Sequence, residues 1–533
     1  MKKLTFNTIE PFIFFSVLLL NLIPIFSGKF FPTMDGAAHL NNATIIKELL
    51  INGSSPLGEA FKFNSELVPN WIGHFILVVL KFFLPSYLAE KILILIYFIG
   101  MPIAFRELIR VISPNNILYS FFIFPFTYSS LFLFGFYNFS FGIILFLITT
   151  TYWLKVYKTN LQHKEVLILF VLITITYFSH IFLFAILLMT IAIHTVIYFL
   201  SEYIEKPEDI KMCFLRFLKV TLQLILASII PLALFIIYIL SRNSFQNENQ
   251  VQVTELIAWI KNIKPLIAYN PPLEEAFTTK IFYAIAILIF IGCYTEINKF
   301  LSVTTKNKQL LKQFFVLKIS WFVVVTVLLL MYFFLDLADD GDSGGFFKVR
   351  VGLLLFILLV AWASTFEVSK WMSILSIFVV LYMNQKLNSY YSSVIKELDF
   401  HAQECYEISK KIPAYSVVLP IDVSGHWLKG HFSNYLGADN PLIILENYEC
   451  SKEYFPLVWN NSSIPNYMIN GKSAGEIPCL WWKSNTNNSK KEIDYIFVLG
   501  DINSTSDNCL KEILVNIDIV YQSPQSTLLK ISK

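Results

Sequence analysis

Charged residues are the scarcest class in this chain. Only 15% of its 533 residues are Asp, Glu, Lys or Arg, against 56% apolar and 16% aromatic. Soluble domains average about 25% charged and about 45–50% apolar, so the chain lacks the polar side chains to cover several water-facing domains. That excludes a soluble enzyme and a disordered protein. A formal net charge of +3 lacks the basic excess that answers a phosphate backbone, so no nucleic-acid partner is expected. Cysteine is rare, six in all and without a Cys-x-x-Cys pair, and a zinc ribbon is not indicated. The sequence also has no internal repeat, and its apolar runs hold almost no central carboxylates. A transporter or flippase of lipid-linked oligosaccharide, one alternative function, is expected to have repeats and mid-membrane charges.

What is present is a series of apolar runs. Crossing about 30 Å of hydrocarbon takes roughly 20 helical residues. Runs near 10–27, 88–105, 117–136, 140–155, 166–180, 181–200, 217–240, 280–296, 314–335, 350–366 and 371–385 predict a polytopic α-helical membrane protein of about eleven spans. The run at 70–84 is shorter, carries His74 and Lys81 and ends before Pro85. It reads as a re-entrant or interfacial helix, a full span being the alternative. An amphipathic stretch at 254–267 predicts a helix lying in the interface. With about eleven spans, the short-loop cations, among them Lys2, Lys3, Arg106, Arg110, Lys155, Lys158 and Arg216, fall on one side. The positive-inside rule then puts the N-terminus in the cytoplasm and the C-terminus outside a bacterial plasma membrane. The first run mimics a signal peptide, but no clean small-residue cleavage site follows, and it is expected to be retained.

The charges are unevenly spread. Residues 1–385 carry 50 (13%) and net +6, whereas 386–533 carry 29 (20%) and net −3. The division predicts a transmembrane domain at 1–385 and a soluble extracytoplasmic α/β domain at 386–533. Within the latter, a helix is expected at 389–411 and strands at 416–420, 494–499, 517–521 and 527–531. Cys405, Cys450, Cys479 and Cys509 all lie there. An even number in an oxidising compartment leads to the expectation of two disulfides, with pairing open and buried free thiols as the alternative.

Candidate functional residues gather in the outside loops. The first, 28–87, contains Asp35 and His39, four apart and so on one face of any helix beginning there. An acid at a helix start also serves as a plain cap, but Asp35 follows directly on the first span, where a carboxylate reaches both a lipid head group and a water-side acceptor. The turn Phe134-Gly135-Phe136-Tyr137-Asn138 places one amide, Asn138, among aromatics, either as a sugar or phosphate donor or within an interfacial belt. His180 tops the hairpin after it. The run 336–342 holds Asp336, Asp339, Asp340 and Asp342, a solvated turn or a cation loop without the calcium-hand spacing. Lys348 and Arg350 follow, placed to snorkel or to grip a lipid phosphate. In the tail, His426, Trp427 and His431 are candidates for contacting an acceptor.

Taken together, the acid after the first span, the interfacial helix at 70–84, the span number and the outside tail resemble the GT-C superfamily of integral membrane glycosyltransferases. Its members use polyprenyl-phosphate-linked sugars and include protein O-mannosyltransferases, lipid A aminoarabinose transferases and oligosaccharyltransferase catalytic subunits. The likeness covers the whole chain in layout, through short motifs. It implies an inverting transfer from a lipid-linked sugar donor to an extracytoplasmic glycan, lipid or protein acceptor. Asp35 would act as base with His39 beside it. His74, Asn138, His180, Lys348 and Arg350 would bind substrate, the last two holding the leaving phosphate. Metal-dependent members carry acids in the second outer loop, where this chain has Asn138. A metal-independent mechanism without cofactor is therefore expected, with Asp339, Asp340 and Asp342 as ligands should a divalent cation take part. A polysaccharide polymerase is a further alternative, although the large arginine-rich late loop of that class is missing.

Overall fold

The computed structural model describes residues 6–158, 161–205, 210–241, 251–302, 314–335, 345–452, 454–460, 463–464, 491–502 and 517–531. Among them, eight helices are long and apolar enough to cross a membrane. They are Ile9–Phe26, Ser86–Ile112, Pro114–Leu133, Tyr137–Val156, Ile181–Ile204, Ile210–Leu240, Pro271–Lys299 and Phe346–Ala363. Each coincides with a predicted run. The three remaining predicted spans are helical but shorter or more polar. The run 166–180 is the 17-residue helix His163–Ser179, and 314–335 is Ser320–Phe334 preceded by a π turn, Phe314–Ile319. The run 371–385 opens a 39-residue helix, Lys370–Ile408, that also takes in the tail helix expected at 389–411. The segment 70–84 forms a helix of only ten residues, Ile72–Lys81. At 1.5 Å per residue that is about 15 Å, half the hydrocarbon thickness, so it does not cross as a single helix.

The chain divides into two compact units. The first comprises Met1–Ile23, Ile96–Leu133 and Phe139–Tyr390. Its helices are apolar all round, as burial in lipid and protein together requires. Leu222, Leu226, Ile229, Ile230 and Ile237 of the helix Ile210–Leu240 are each more than half exposed, a surface that only an apolar solvent tolerates. Two polar clusters inside this unit are paired. Arg106 grips Glu10 through two bonds of 2.6 Å, and the Asn21 Oδ1 accepts from Asn384 and Asn388, as expected where water cannot compensate.

The second unit comprises Pro24–Leu95, Phe134–Asn138 and Tyr391–Lys533, so that the first loop and the tail form one body. A five-stranded mixed sheet lies in it, with strands β2 (Val417–Asp422), β3 (Ile443–Ile444), β5 (Tyr495–Leu499), β6 (Asp518–Gln522) and β7 (Ser526–Lys530) in the order β3-β2-β5-β7-β6. The β2 strand runs parallel to β3 and β5, and β7 antiparallel to β5 and β6. All five residues of β5 are buried, which explains why the central strands read as unbroken apolar runs. Two short strands, β1 (Phe61–Phe63) and β4 (Leu457–Trp459), pair antiparallel, and Phe61 stacks on Trp459 at 4.5 Å. Asp399 accepts the backbone N–H groups of Lys29 and Phe30 at 2.9 and 2.7 Å.

The tail corrects one expectation. Cys405 and Cys450 are buried free thiols, packed in the interior rather than bridged, so two disulfides do not form. Cys479 and Cys509 lie outside the described residues, as does the acidic run with Asp339, Asp340 and Asp342.

Candidate active site

The segment Thr33–Gly36 opens the helix Gly36–Ile51. The hydroxyl of Thr33 accepts the Gly36 N–H at 3.1 Å and lies 3.0 Å from the Tyr137 hydroxyl. Asp35 occupies the capping position, yet its side chain makes no cap hydrogen bond. The plain capping role is thus taken by Thr33. Asp35 is 5% exposed, and its Oδ1 has no hydrogen-bond partner. A cation, His431 Nε2, stands 3.7 Å away. An oxygen left so in the interior costs free energy on the order of 1–3 kcal/mol. Burial pushes the Asp35 carboxyl up to about 6, against the opposing pull of His431 and His39.

The turn predicted from its glycine and aromatics sits directly on this carboxylate. Phe134 O accepts the Asp35 N–H at 3.0 Å. Gly135 has φ +95°, and a Cβ placed on it would come within 2.8 Å of Asp35 Cβ and 2.9 Å of Asp35 N. Only glycine satisfies both the backbone angle and the approach. Its carbonyl lies 3.0 Å from His39 Nε2, and Tyr137 stacks on the His39 ring at 5.1 Å. The Asn138 Oδ1 accepts the Gly73 N–H at 2.8 Å. That bond fixes the start of the helix Ile72–Lys81, and with it His74.

His39 and His74 meet at Glu449. Their Nδ1 and Nε2 lie 3.2 Å apart, and 2.9 and 2.8 Å from the two oxygens of Glu449. All three side chains are buried, and they are the single His/Cys/Asp/Glu group among the described residues spaced to hold a metal ion, with donor atoms within 4.8 Å of one another. Glu449 resists burial as an anion because His39 and His74 hold it well below the usual carboxylate range. Burial opposes charge on His39, but Glu449 and Asp35 outweigh it and raise its pKa. Asn42 also donates to Glu449 at 2.5 Å, and Asn447 to Asn42 at 2.6 Å.

His431 is held by Glu446, which hydrogen-bonds its Nδ1 and accepts from Ser433 at 3.1 Å. Burial opposes its charge, yet Glu446, Asp35 and Glu449 together push it up to about 9. Its ring stacks on Tyr448 at 4.3 Å. A carboxylate at Asp35 therefore faces a fixed imidazolium.

Of the predicted residues, Asp35, His39, His74, Asn138 and His431 come together in this unit. Trp427 lies edge-on to Phe134 at 5.2 Å, beside the Asp35 anchor, while His426 sits in the 424–429 turn with its N–H donated to Ser424 Oγ at 3.3 Å. His180 and Arg350 belong to the other unit, where both approach the Phe139 ring, at 5.2 and 6.0 Å. Lys348, also there, is buried and donates to Leu335 O at 3.0 Å. Glu446, Tyr448 and Glu449 also belong to the site and were not among the predicted residues. Their one visible signal is a pair of acids three apart in Glu446-Asn-Tyr-Glu449, too ordinary to single out.

No family model and no curated protein matches the sequence. In structure the chain is similar to ArnT from Cupriavidus metallidurans in the apo state, with TM-score 0.49, 8% identity and 98% of each chain covered. It is also similar to the same protein bound to undecaprenyl phosphate, with TM-score 0.42, 10% identity and 98% of each chain covered. At such identity no residue role passes from that protein to this chain, and the chemistry has to come from the side chains described above.

Proposed function

We propose that this chain is a membrane glycosyltransferase of the GT-C type, moving a sugar from a polyprenyl-phosphate-linked donor to an acceptor outside the plasma membrane. The observation that carries the reading is Asp35: a buried carboxylate with an unsatisfied oxygen, released from capping by Thr33. A buried carboxyl raised by desolvation with a specific charge beside it marks a functional-site candidate. Asp35 takes the proton of an acceptor hydroxyl. The acceptor oxygen then bonds to the anomeric carbon, and the bond from that carbon to the phosphate oxygen breaks. The electron pair leaves with the polyprenyl phosphate, and the configuration inverts. A base with a pKa of about 6 is mostly ionised at neutral pH yet still able to accept a proton as the hydroxyl oxygen begins to bond.

His431 faces Asp35 as an imidazolium and keeps it from rising further. Lys348 and Arg350 are the proposed holders of the donor phosphate, where a guanidinium offers a two-toothed fork. His180 is a further proposed contact of the donor, and His426 and Trp427 of the acceptor. An N-terminus in the cytoplasm and a tail outside belong to the same proposal and rest on the loop cations.

The test is Asp35→Asn in the full-length protein, assayed for release of polyprenyl phosphate from the lipid-linked sugar that the wild type accepts out of a panel. Turnover is expected to fall at least ~100-fold with expression and thermal unfolding retained. Unchanged turnover would overturn the role of Asp35.

A further inference from the structure

We propose that His39, His74 and Glu449 form a resident site for a divalent transition-metal ion, best matched to zinc, in the unit that holds the first loop and the tail. The carbonyls around the two rings fix which ring nitrogens carry protons. His39 Nε2 faces the carbonyl of Gly135 at 3.0 Å, and His74 Nδ1 faces the carbonyl of Asn70 at 3.4 Å. A carbonyl oxygen only accepts, so each of these outer nitrogens bears the hydrogen. In the neutral rings, lone pairs then remain on His39 Nδ1 and His74 Nε2, the two atoms that point at each other across 3.2 Å. Both also point at a carboxylate, which has only lone pairs to offer.

Three side chains thus aim lone pairs at one point. A single proton at the centre leaves one of the three edges between two lone pairs. Two protons turn both histidines into cations, nitrogen to nitrogen at 3.2 Å, where His39 is 2% and His74 1% exposed. Glu449 Oε1 is 2.9 Å from His39 Nδ1 yet stands outside hydrogen-bond geometry, which is how two ligands of one ion approach each other. The spacing fits as well. Ligands about 2.0–2.1 Å from a tetrahedral zinc are about 3.3 Å apart; the two nitrogens are 3.2 Å apart, His39 Nδ1 is 2.9 Å from Glu449 Oε1 and His74 Nε2 is 2.8 Å from Glu449 Oε2, with donor atoms of all three residues within 4.8 Å.

Two imidazoles and one carboxylate suit zinc and its first-row neighbours rather than magnesium or calcium, which prefer all-oxygen shells. The surroundings complete the picture. Carbonyls orient both rings from behind, and Asn42 steadies the carboxylate, the outer contacts that metal-bound histidine and glutamate require. Asp35 Oδ1, one helical turn before His39, is a buried oxygen without a hydrogen-bond partner. The site departs from the expectation of no metal, and its ligands include none of Asp339, Asp340 and Asp342. It would pin the helix Gly36–Ile51, the helix Ile72–Lys81 and the 448–451 turn of the tail to one another.

The inference stands apart from the glycosyl-transfer reading, and the experiment separates the two. Full-length protein purified without chelator is analysed for bound metal, then stripped and titrated with Zn2+ and Co2+. The expected result is about one zinc per chain. Co2+ should give the visible absorption of a low-coordinate site, and Zn2+ should raise the unfolding temperature of the stripped protein. His74→Gln and Glu449→Gln should lose bound metal at least ~10-fold, whereas Asp35→Asn should keep it while losing turnover. Folded wild-type protein that takes up neither ion, or metal uptake unaltered by both ligand substitutions, would overturn the proposal. The titration of the wild type decides the matter even where a ligand variant fails to fold.

Discussion

Replacing Gly135 by Ala tests the link between the 134–138 turn and the carboxylate beneath it. Two effects act together. The backbone angle, φ +95°, is one that a residue with a Cβ adopts at a cost of about 1–3 kcal/mol. The new Cβ would also stand 2.8 Å from Asp35 Cβ and 2.9 Å from Asp35 N, whereas ordinary carbon contacts lie near about 3.5–4.0 Å. The neighbour is backbone, so relief requires Asp35 and the start of its helix to move by some tenths of an ångström. Misplacing a catalytic group by about 1 Å costs on the order of 100-fold in rate, and a displacement of half that size predicts a fall of roughly 10-fold. Gly425 supplies the control. It too has positive φ, +64°, but nothing lies within 4 Å of a Cβ built there. Gly425→Ala should carry the backbone strain and leave turnover near wild type. The assay compares donor turnover and thermal unfolding for both variants. Wild-type turnover in Gly135→Ala, or an equal loss in Gly425→Ala, would refute the idea that this turn positions Asp35.

Three further outcomes are expected. Because burial lifts Asp35 to about 6, kcat/KM should fall on the acid side, to about one-tenth at pH 5; a flat profile from pH 5 to 8 would exclude it as the base. His431→Gln removes the cation that lowers this pKa, so the acid limb should move to higher pH; an unmoved limb would mean that His431 does not act on Asp35. Lys81 is buried and donates to Leu40 O, Ser86 Oγ, Thr44 Oγ1 and Ala438 O, and Lys81→Met should cost about 3 kcal/mol by stranding those acceptors. Burial also pushes its pKa down to about 8 from 10.5. Between those values the unfolded chain keeps the proton that the folded one has released, so stability gains with rising pH. Wild-type unfolding temperature should rise relative to Lys81→Met across that window; parallel curves would contradict the assignment.

The membrane-crossing helices were legible because their signal is local: about twenty apolar residues in a row need no partner to be recognised. The four tail strands were legible for a similar reason, and β5 in particular reads as a buried run. What escaped is what depends on distant pairing. Strands β1, β3 and β4 have two or three residues each, too few for any period. Asp35 stood out by its place after the first span, but its freedom from capping follows from Thr33, a competitor two residues earlier whose choice no spacing rule foresees. Glu449 is the clearest loss. Its partners, His39 and His74, come from the other end of the chain, and an acid in a short polar stretch carries no mark of where it will be buried. Cys405 and Cys450 misled for the same reason: an even count implied bridges, while packing placed each thiol in the interior without one.

The pairing of His74 with Glu449 closes a separation of 375 residues. At roughly 5–20 residues per second, about 20–75 s of synthesis pass between the two. During that interval the first loop is already made, with its histidines and Asp35 waiting for walls that do not yet exist. Its helix Gly36–Ile51 has Asn41 and Asn42 awaiting Asn434 and Glu449. Under the proposed mechanism a newborn chain would be inert until its last quarter arrives, and a ribosome that stalls before codon 449 would leave the first loop without its partner Glu449. Assembly order would then act as a safeguard, since the carboxylate proposed as base gains its surroundings only when the tail arrives.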